Sequence, residues 1–338
     1  MLLFMKLNGT GPARELHFEP AERVNLLTGD NGLSKTFLLE CAWWALSGNW
    51  TGTPAYPRQD AKKDEPEIIF QVADEDGYEN SSYNWETQEW SLPKGRRQSQ
   101  SLLIYARADG DFAIFDPVKD YGKSSFNPEG KNSLILKRED VWNGISTGAG
   151  TSTKFLINGL INDWVNWQNS PGMYPFETLK KVLKRLSPPN LGDLGLLEPG
   201  RPVRIPSDSR WIPTIKHPYG EIPLVYASAS VRRIVALAYL IVWTWEEHKT
   251  QSELIRKEPN KKMVILADEI EAHLHPQWQR TILPALTDIR DELKSELQVQ
   301  FFVATHSPLI MASMEPKFDA DKDKIFHFDM VIRWGNNT

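Results

Sequence analysis

The run Gly29-Asp30-Asn31-Gly32-Leu33-Ser34-Lys35-Thr36 restricts the fold of this chain more than any other stretch. A short apolar run (24–27) precedes it. A helical run (36–46), rich in Leu, Ala and Trp and closed by Ser47-Gly48, follows it. Buried strand, glycine loop and helix in that order belong to an α/β sheet, with the loop at its C-terminal edge. Glycines let backbone N–H groups turn inward around phosphate oxygens, and the N-terminus of the following helix favours the anion. Lys35 suits β/γ-phosphate oxygens, and the Thr36 hydroxyl suits a magnesium ion. The pattern G-x-x-x-x-G-K-[ST] is met except at Ser34, where a second glycine is expected. The bland alternative is a strand–turn–helix joint with an incidental lysine.

Three further segments carry chemistry. The run 263–267 is an apolar strand that delivers Asp268 and Glu269 to the sheet edge where α/β ligands bind. There Asp268 would reach the magnesium shell, and Glu269 could orient and deprotonate an attacking water. A second apolar strand (299–304) ends in Thr305-His306-Ser307, placing an imidazole at the same edge. Finally, Tyr226-Ala227-Ser228-Ala229-Ser230 opens a long helix (230–247) with small hydroxyl residues, which suits a second anion site or an ordinary N-cap. About 230 residues separate the glycine loop from the acidic pair, so the sheet closes only around an insertion.

Between these segments the pattern predicts strands from 66 to 115. They include 68–72, and 102–105 with 112–115 flanking the Asp109-Gly110 turn. Residues 120–150 read as loop, 155–167 and 176–186 as helices, and 189–222 as irregular. The stretch 249–262 reads as a solvated connector and 278–297 as a helix, with a last apolar segment at 325–332.

Composition sets the remaining bounds. At 338 residues, 41% hydrophobic and 25% charged, the chain can bury a core of useful size. Its formal charge of -5 makes it no general magnet for nucleic acid. The single Cys41 excludes an intrachain disulfide and suits a reducing compartment. The longest apolar stretch, 234–245, is too short to span a bilayer, so a cytoplasmic protein without membrane contact is expected. Thirteen Trp are read as packing area. Lys94-Gly95-Arg96-Arg97 reads as a solvated turn rather than a phosphate contact.

Together the four segments resemble the ABC-type ATPases of the SMC/RecF/OLD-like branch. The stretch Asp268-Glu269-Ile270-Glu271-Ala272-His273-Leu274-His275-Pro276-Gln277-Trp278-Gln279 is similar to a form seen in stand-alone bacterial antiphage-defence ATPases of the PtuA and OLD type. The resemblance covers residues 1–50 and 222–312 and little of the middle. It implies an α/β P-loop NTPase with an ABC-type ATPase head. That head would have a mixed or parallel sheet core, an antiparallel β subdomain and a helical insertion. Residues 1–120 and 222–338 would form the head and 121–221 the insertion.

It further implies ATP and Mg²⁺ as cofactors, with Gly29, Asp30, Asn31, Gly32, Leu33, Ser34, Lys35, Thr36 and Phe37 around the nucleotide. Thr36 and Asp268 would hold the metal, and Lys35, Glu269 and His306 would be catalytic. Ser228 would match the signature serine that contacts ATP bound by the opposite subunit, so at least a homodimer is implied. Serine also replaces glycine at Ser230, the last signature position, and Gln71 is a candidate for the glutamine that usually follows the first strands of the domain in this family. If position 34 requires a left-handed backbone, a serine costs roughly 1–2 kcal/mol there and slows hydrolysis more than it weakens binding.

No heptad run separates the two halves, so no coiled-coil arm is expected. The chain is expected to leave no room for a C-terminal Toprim nuclease, so a separate effector, such as a nuclease, is the expected partner, with DNA a further candidate. The alternatives are an ATP-sensing scaffold with little turnover, and a DNA-repair ATPase of RecF type. A transporter subunit is disfavoured by the 120–220 insertion and the His-Leu-His-Pro stretch. A zinc site at His273 and His275 is disfavoured by the lack of a Cys pair or further His cluster.

Overall fold

Alternation along the central strands sorts their side chains onto two helix-covered faces. The computed structural model describes residues 1–29, 35–73, 77–93, 99–122, 132–148, 153–188, 196–206, 208–217, 220–294 and 296–329. The elements run β1 (Leu2–Asn8), β2 (Glu15–Phe18), β3 (Val24–Gly29), α1 (Lys35–Ser47), β4 (Glu67–Val72), β5 (Glu79–Asn84), β6 (Glu89–Trp90), β7 (Leu102–Ala106) and β8 (Phe112–Phe115). Next come β9 (Ser133–Leu136), α2 (Arg138–Asn143), β10 (Ile145–Thr147), β11 (Lys154–Ile157), α3 (Leu160–Asn169), α4 (Tyr174–Leu186), β12 (Val203–Ile205), β13 (Asp208–Ile212), β14 (Thr214–His217) and β15 (Gly220–Pro223). The chain continues through α5 (Ala229–Leu254), β16 (Lys262–Asp268), α6 (Pro276–Gln279), α7 (Ile282–Leu293), β17 (Gln298–Ala304), α8 (Pro308–Met314) and β18 (Asp323–Phe328).

A seven-stranded sheet in the order β18-β3-β17-β16-β7-β8-β9 forms the centre. Pairing is parallel from β18 through β7 and antiparallel at β8 and β9. A second sheet, β2-β1-β4-β5-β6, is antiparallel throughout. This is the mixed α/β architecture expected.

Leu27, Leu103, Tyr105, Val264, Leu266, Phe302 and Ala304 face α1 and the antiparallel sheet. Leu26, Ile104, Met263, Ile265, Phe301 and Val303 face α4, α5 and α7. Being covered on both faces, the parallel strands are near-continuous apolar runs. Trp43, Trp44, Trp164 and Trp245 are all fully buried, and each such side chain contributes about 2–3 kcal/mol by leaving water. Gln300 joins the two sheets: its amide accepts from Leu2 N and donates to the Leu2 and Ala21 carbonyls, each at 2.9 Å.

The middle of the chain is more ordered than its composition suggests. Within 120–150, read as loop, lie β9, α2 and β10. The helix expected at 155–167 begins only at Leu160, because 154–157 pairs with β10 and Gly159 turns the chain at φ +87°. Phe155, the first residue of that expected helix, lies in β11 and is exposed. Two hairpins, β12–β13 and β14–β15, occupy much of 189–222. The 249–262 connector shortens, because α5 runs on to Leu254 with His248 and Ser252 buried. The 278–297 helix divides at Arg280-Thr281 into α6 and α7. Trp164, Phe176, Leu179 and Leu183, within 121–221, share one core with Ile104 and Ile265 of the sheet.

Candidate functional site

Three adjacent parallel strands, β3, β17 and β16, end at one edge of the central sheet, and each delivers expected site residues there. Thr305 N donates to the Leu27 carbonyl at 3.0 Å and Glu269 N to the Ala304 carbonyl at 3.1 Å, so the strand ends are laced together beyond the ladders. Gly29 closes β3 at φ +124°, where an added Cβ would lie 2.1 Å from the Phe328 carbonyl of β18, so no side chain fits. Residues 30–34 lie outside the described residues, and so do the expectations placed on Asp30, Asn31, Gly32, Leu33 and Ser34.

Beyond them α1 begins with Lys35, nearly buried, whose Nζ donates to the Gly29 carbonyl at 2.9 Å. The Thr36 hydroxyl donates to Asp268 Oδ2 at 2.7 Å. Phe37 packs on Gly11, where a Cβ would come within 2.4 Å of the ring. Asp268 is 1% exposed. Burial pushes its carboxyl up from the usual range, against the pull of the Thr36 hydroxyl, and the neighbouring Glu269 and Glu271 add to the rise.

Glu269 leaves the strand in the left-handed region at φ +48°, and His273 repeats this at φ +65°. Such backbone is uncommon for residues with side chains and costs of order 1 kcal/mol or more each. Tertiary contacts hold the turn between them. Arg233 of α5 donates to the Asp268 and Glu269 carbonyls at 3.2 Å each, and the Ser230 hydroxyl donates to the His273 carbonyl. His275 accepts Gln277 N at the start of α6.

His306 is exposed, with its backbone held by Glu271: Oε1 accepts His306 N at 2.6 Å and Oε2 accepts the Thr305 hydroxyl at 2.8 Å. Next to it, the Ser307 hydroxyl donates to Gln279 Oε1 at 2.7 Å, while Gln279 Nε2 donates to the Leu274 carbonyl at 2.9 Å. The 269–279 segment and the 305–307 turn are therefore one hydrogen-bonded unit.

Lys35, Thr36, Asp268, Glu269 and His306 thus lie at one sheet edge. Ser228 bonds to none of them among the described residues; it is exposed at the start of α5, and its hydroxyl accepts from Val231 N at 3.3 Å. Gln71 lies toward the other end of the parallel strands: its strand β4 pairs with the start of β1, where Met1 bonds to Ser101 just before β7 and Leu2 to Gln300 early in β17. The Lys94–Arg97 patch lies outside the described residues.

Sequence reasoning missed three contributors. Glu271 lies inside the quoted motif but has no role readable without knowing which loop faces it. Arg233 follows the signature serines by helical spacing. Arg107 ends β7, the strand beside β16, and its guanidinium meets Glu40 at 3.3 Å, the Thr51 hydroxyl at 2.8 Å and Asp109 at 3.2 Å. Burial raises the Glu40 carboxyl, although Thr51 and Arg107 both pull it down. That β7 is the neighbour of β16 is a tertiary fact, so Arg107 reads locally as hairpin flank only.

Residues 237–312 match the family described as "AAA domain, putative AbiEii toxin, Type IV TA system". A 52-residue stretch is 40% identical to the Retron Ec83 probable ATPase of Escherichia coli, and a 51-residue stretch is 39% identical to the Retron Vc95 probable ATPase of Vibrio cholerae serotype O1 biovar El Tor. Each stretch is 15% of this chain but only 8% and 9% of those relatives, so the chain spans under a tenth of their length. Among solved structures, the SMC head domain from Thermotoga maritima is similar at a TM-score of 0.42 and 14% identity, over 92% of this chain and 91% of that one. The recombination mediator protein RecF is similar at 0.42 and 13%, over 92% and 94%.

Proposed function

We propose that this chain is an ATP-hydrolysing ABC-type ATPase in which two copies close head to tail around ATP. The hydrogen bond between Thr36 and Asp268, residues 232 apart in sequence, carries the reading. It joins the hydroxyl after the glycine loop to the buried carboxylate after an apolar strand, the pair a triphosphate site needs for its metal. Magnesium asks for one or two carboxylates and completes its shell with phosphates and water, so a single carboxylate beside a hydroxyl fits it. Bound there, it would supply charge neutralisation at the β/γ-phosphate oxygens. Lys35 would bind the same oxygens, Glu269 would take the proton of the attacking water, and His306 would contact the γ-phosphate.

Ser228 would complete the site of the opposite copy. Its exposure at the start of α5 supports that role, since a serine that contacts a second copy's nucleotide must be open to it. The retron relatives and the family match over 237–312 favour a role in antiphage defence, with an effector such as a nuclease responding to the closed dimer. DNA is a further candidate partner.

Nucleotide binding and turnover test the reading. Lys35→Ala should abolish ATP binding. Glu269→Gln should keep binding, slow hydrolysis by about 10²-fold or more and accumulate an ATP-dependent dimer by light scattering. ATP binding unchanged in Lys35→Ala would sink the reading.

A further inference from the structure

A cavity of about 460 Å³ opens beside the first turns of α5, lined by the β7–β8 turn, α2, β13 and one face of α5. Its size is that of a small-ligand site. Ala229, Arg232, Arg233 and Ala236 recur along α5 at helical spacing and form one wall. Ser228 itself is not among the lining residues, although its neighbour Ala229 is.

The charge in the cavity is uneven. Arg138, Arg210, Arg232 and Arg233 line it against Asp109 and Glu139. Asp109 is taken by Arg107 at 3.2 Å and Glu139 by Arg138 at 3.3 Å, while Arg210 is held by Asp208 at 2.6 Å. The two arginines of α5 remain. Arg233 donates to three carbonyl oxygens at 3.2–3.5 Å and makes no ion pair among the described residues, and burial lowers its pKa against the pull of Glu269, Glu271, Asp268 and Asp109. Arg232 has no ion pair or side-chain hydrogen bond among the described residues. Trp142, Phe112 and Ile161 supply apolar lining to the same cavity. Paired cationic donors and an aromatic ring lining one cavity match a planar ring that carries a phosphate.

We propose that this cavity binds an organic phosphate of mononucleotide size, its phosphate on Arg232 and Arg233 and its ring against Trp142. The occupant would bridge α5 to the inserted α2 and β13, and so couple a small-molecule signal to the helix that starts at Ser228. The cavity adjoins the acidic turn through Arg233, which also holds the Asp268 and Glu269 carbonyls, but the inference does not rest on ATP binding at the glycine loop.

AMP is a discriminating probe, because it lacks the β- and γ-phosphates that Lys35 would hold. In titration calorimetry, wild-type and Lys35→Ala proteins should bind AMP alike. Arg232→Ala should weaken that binding at least about tenfold, as expected for loss of a charge-assisted hydrogen bond. Trp142→Ala should weaken it as well, while inorganic phosphate and adenosine each bind less tightly than AMP. Arg232 is exposed, so an unchanged melting temperature should accompany its truncation. Three outcomes overturn the proposal: no heat with AMP, AMP affinity unchanged in both cavity variants, or inorganic phosphate binding as tightly as AMP.

Discussion

The Glu271 carboxylate accepts the backbone N–H of His306 at 2.6 Å, tying the acidic turn after β16 to the imidazole after β17. The same carboxylate takes the Thr305 hydroxyl, so two strong bonds fix the loop that aims His306. Glu271→Ala should lower kcat by about tenfold to a hundredfold and leave the KM for ATP within about twofold, because misplacing a reacting group penalises the chemical step. Glu271→Gln, which keeps one acceptor, should fall between. Steady-state kinetics would check this. Equal losses in binding and turnover would instead mean general disruption of the edge.

Asp268 should weaken the nucleotide-free protein it equips. Its folded carboxyl is raised by burial, so at low pH it is neutral in folded and unfolded chains alike and costs nothing. As pH rises through the raised value, the folded state must hold a buried charge, and stability is lost. Asp268→Asn should therefore raise Tm by a few degrees at neutral pH. The gain should shrink toward the unfolded carboxyl range near pH 4. Turnover should fall by orders of magnitude at the same time. A thermal melt series across pH would show it, and a lower Tm for the variant at neutral pH would contradict it.

Ser230 stands where the resemblance expects glycine, and its hydroxyl holds the carbonyl of His273, a residue at positive φ. Restoring the family residue should therefore harm this chain. Ser230→Gly should cost about 1–2 kcal/mol, from the lost hydrogen bond and the flexible residue in the first turn of α5. It should bring no gain in ATP turnover. Urea titration and an ATPase assay on the same sample would decide it.

His248 is fully buried. Its Nε2 accepts Asn260 N at 2.9 Å, so the ring proton sits on Nδ1, 2.9 Å from Asp116 Oδ1. The pair clamps the last turns of α5 to the end of β8 and to the approach to β16. His248→Leu strands the Asp116 carboxylate and should cost about 2–3 kcal/mol in denaturant unfolding. The double variant with Asp116→Leu should lose clearly less than the two single costs combined.

The parts that read well from the sequence are those where local pattern and burial agree. The runs at 24–27, 263–267 and 299–304 are apolar because parallel strands are covered on both faces, and a glycine, an acidic pair and Thr-His-Ser after them mark the edge. The helix after the glycine loop is apolar all round because it is buried. The middle read poorly for the converse reason. Strands of three to five residues, such as β10, β12 and β13, carry too little periodicity to count, and β11 took over the start of a plausible helix by pairing with β10.

For the site, the sequence by itself determined which chemical groups are present and which strand or helix end carries each. Strand ends and helix starts are written locally, in glycines, acids and hydroxyls. Only the tertiary structure decided that Glu271 grips His306, that Arg107 lies beside the Asp268 strand, that Gln71 is at the wrong end, and that two arginines of α5 face an open cavity. Those are relations between strands and helices far apart in the chain, set by the order β18-β3-β17-β16-β7 and by which face each helix covers. No local run of residues records its neighbour in a sheet.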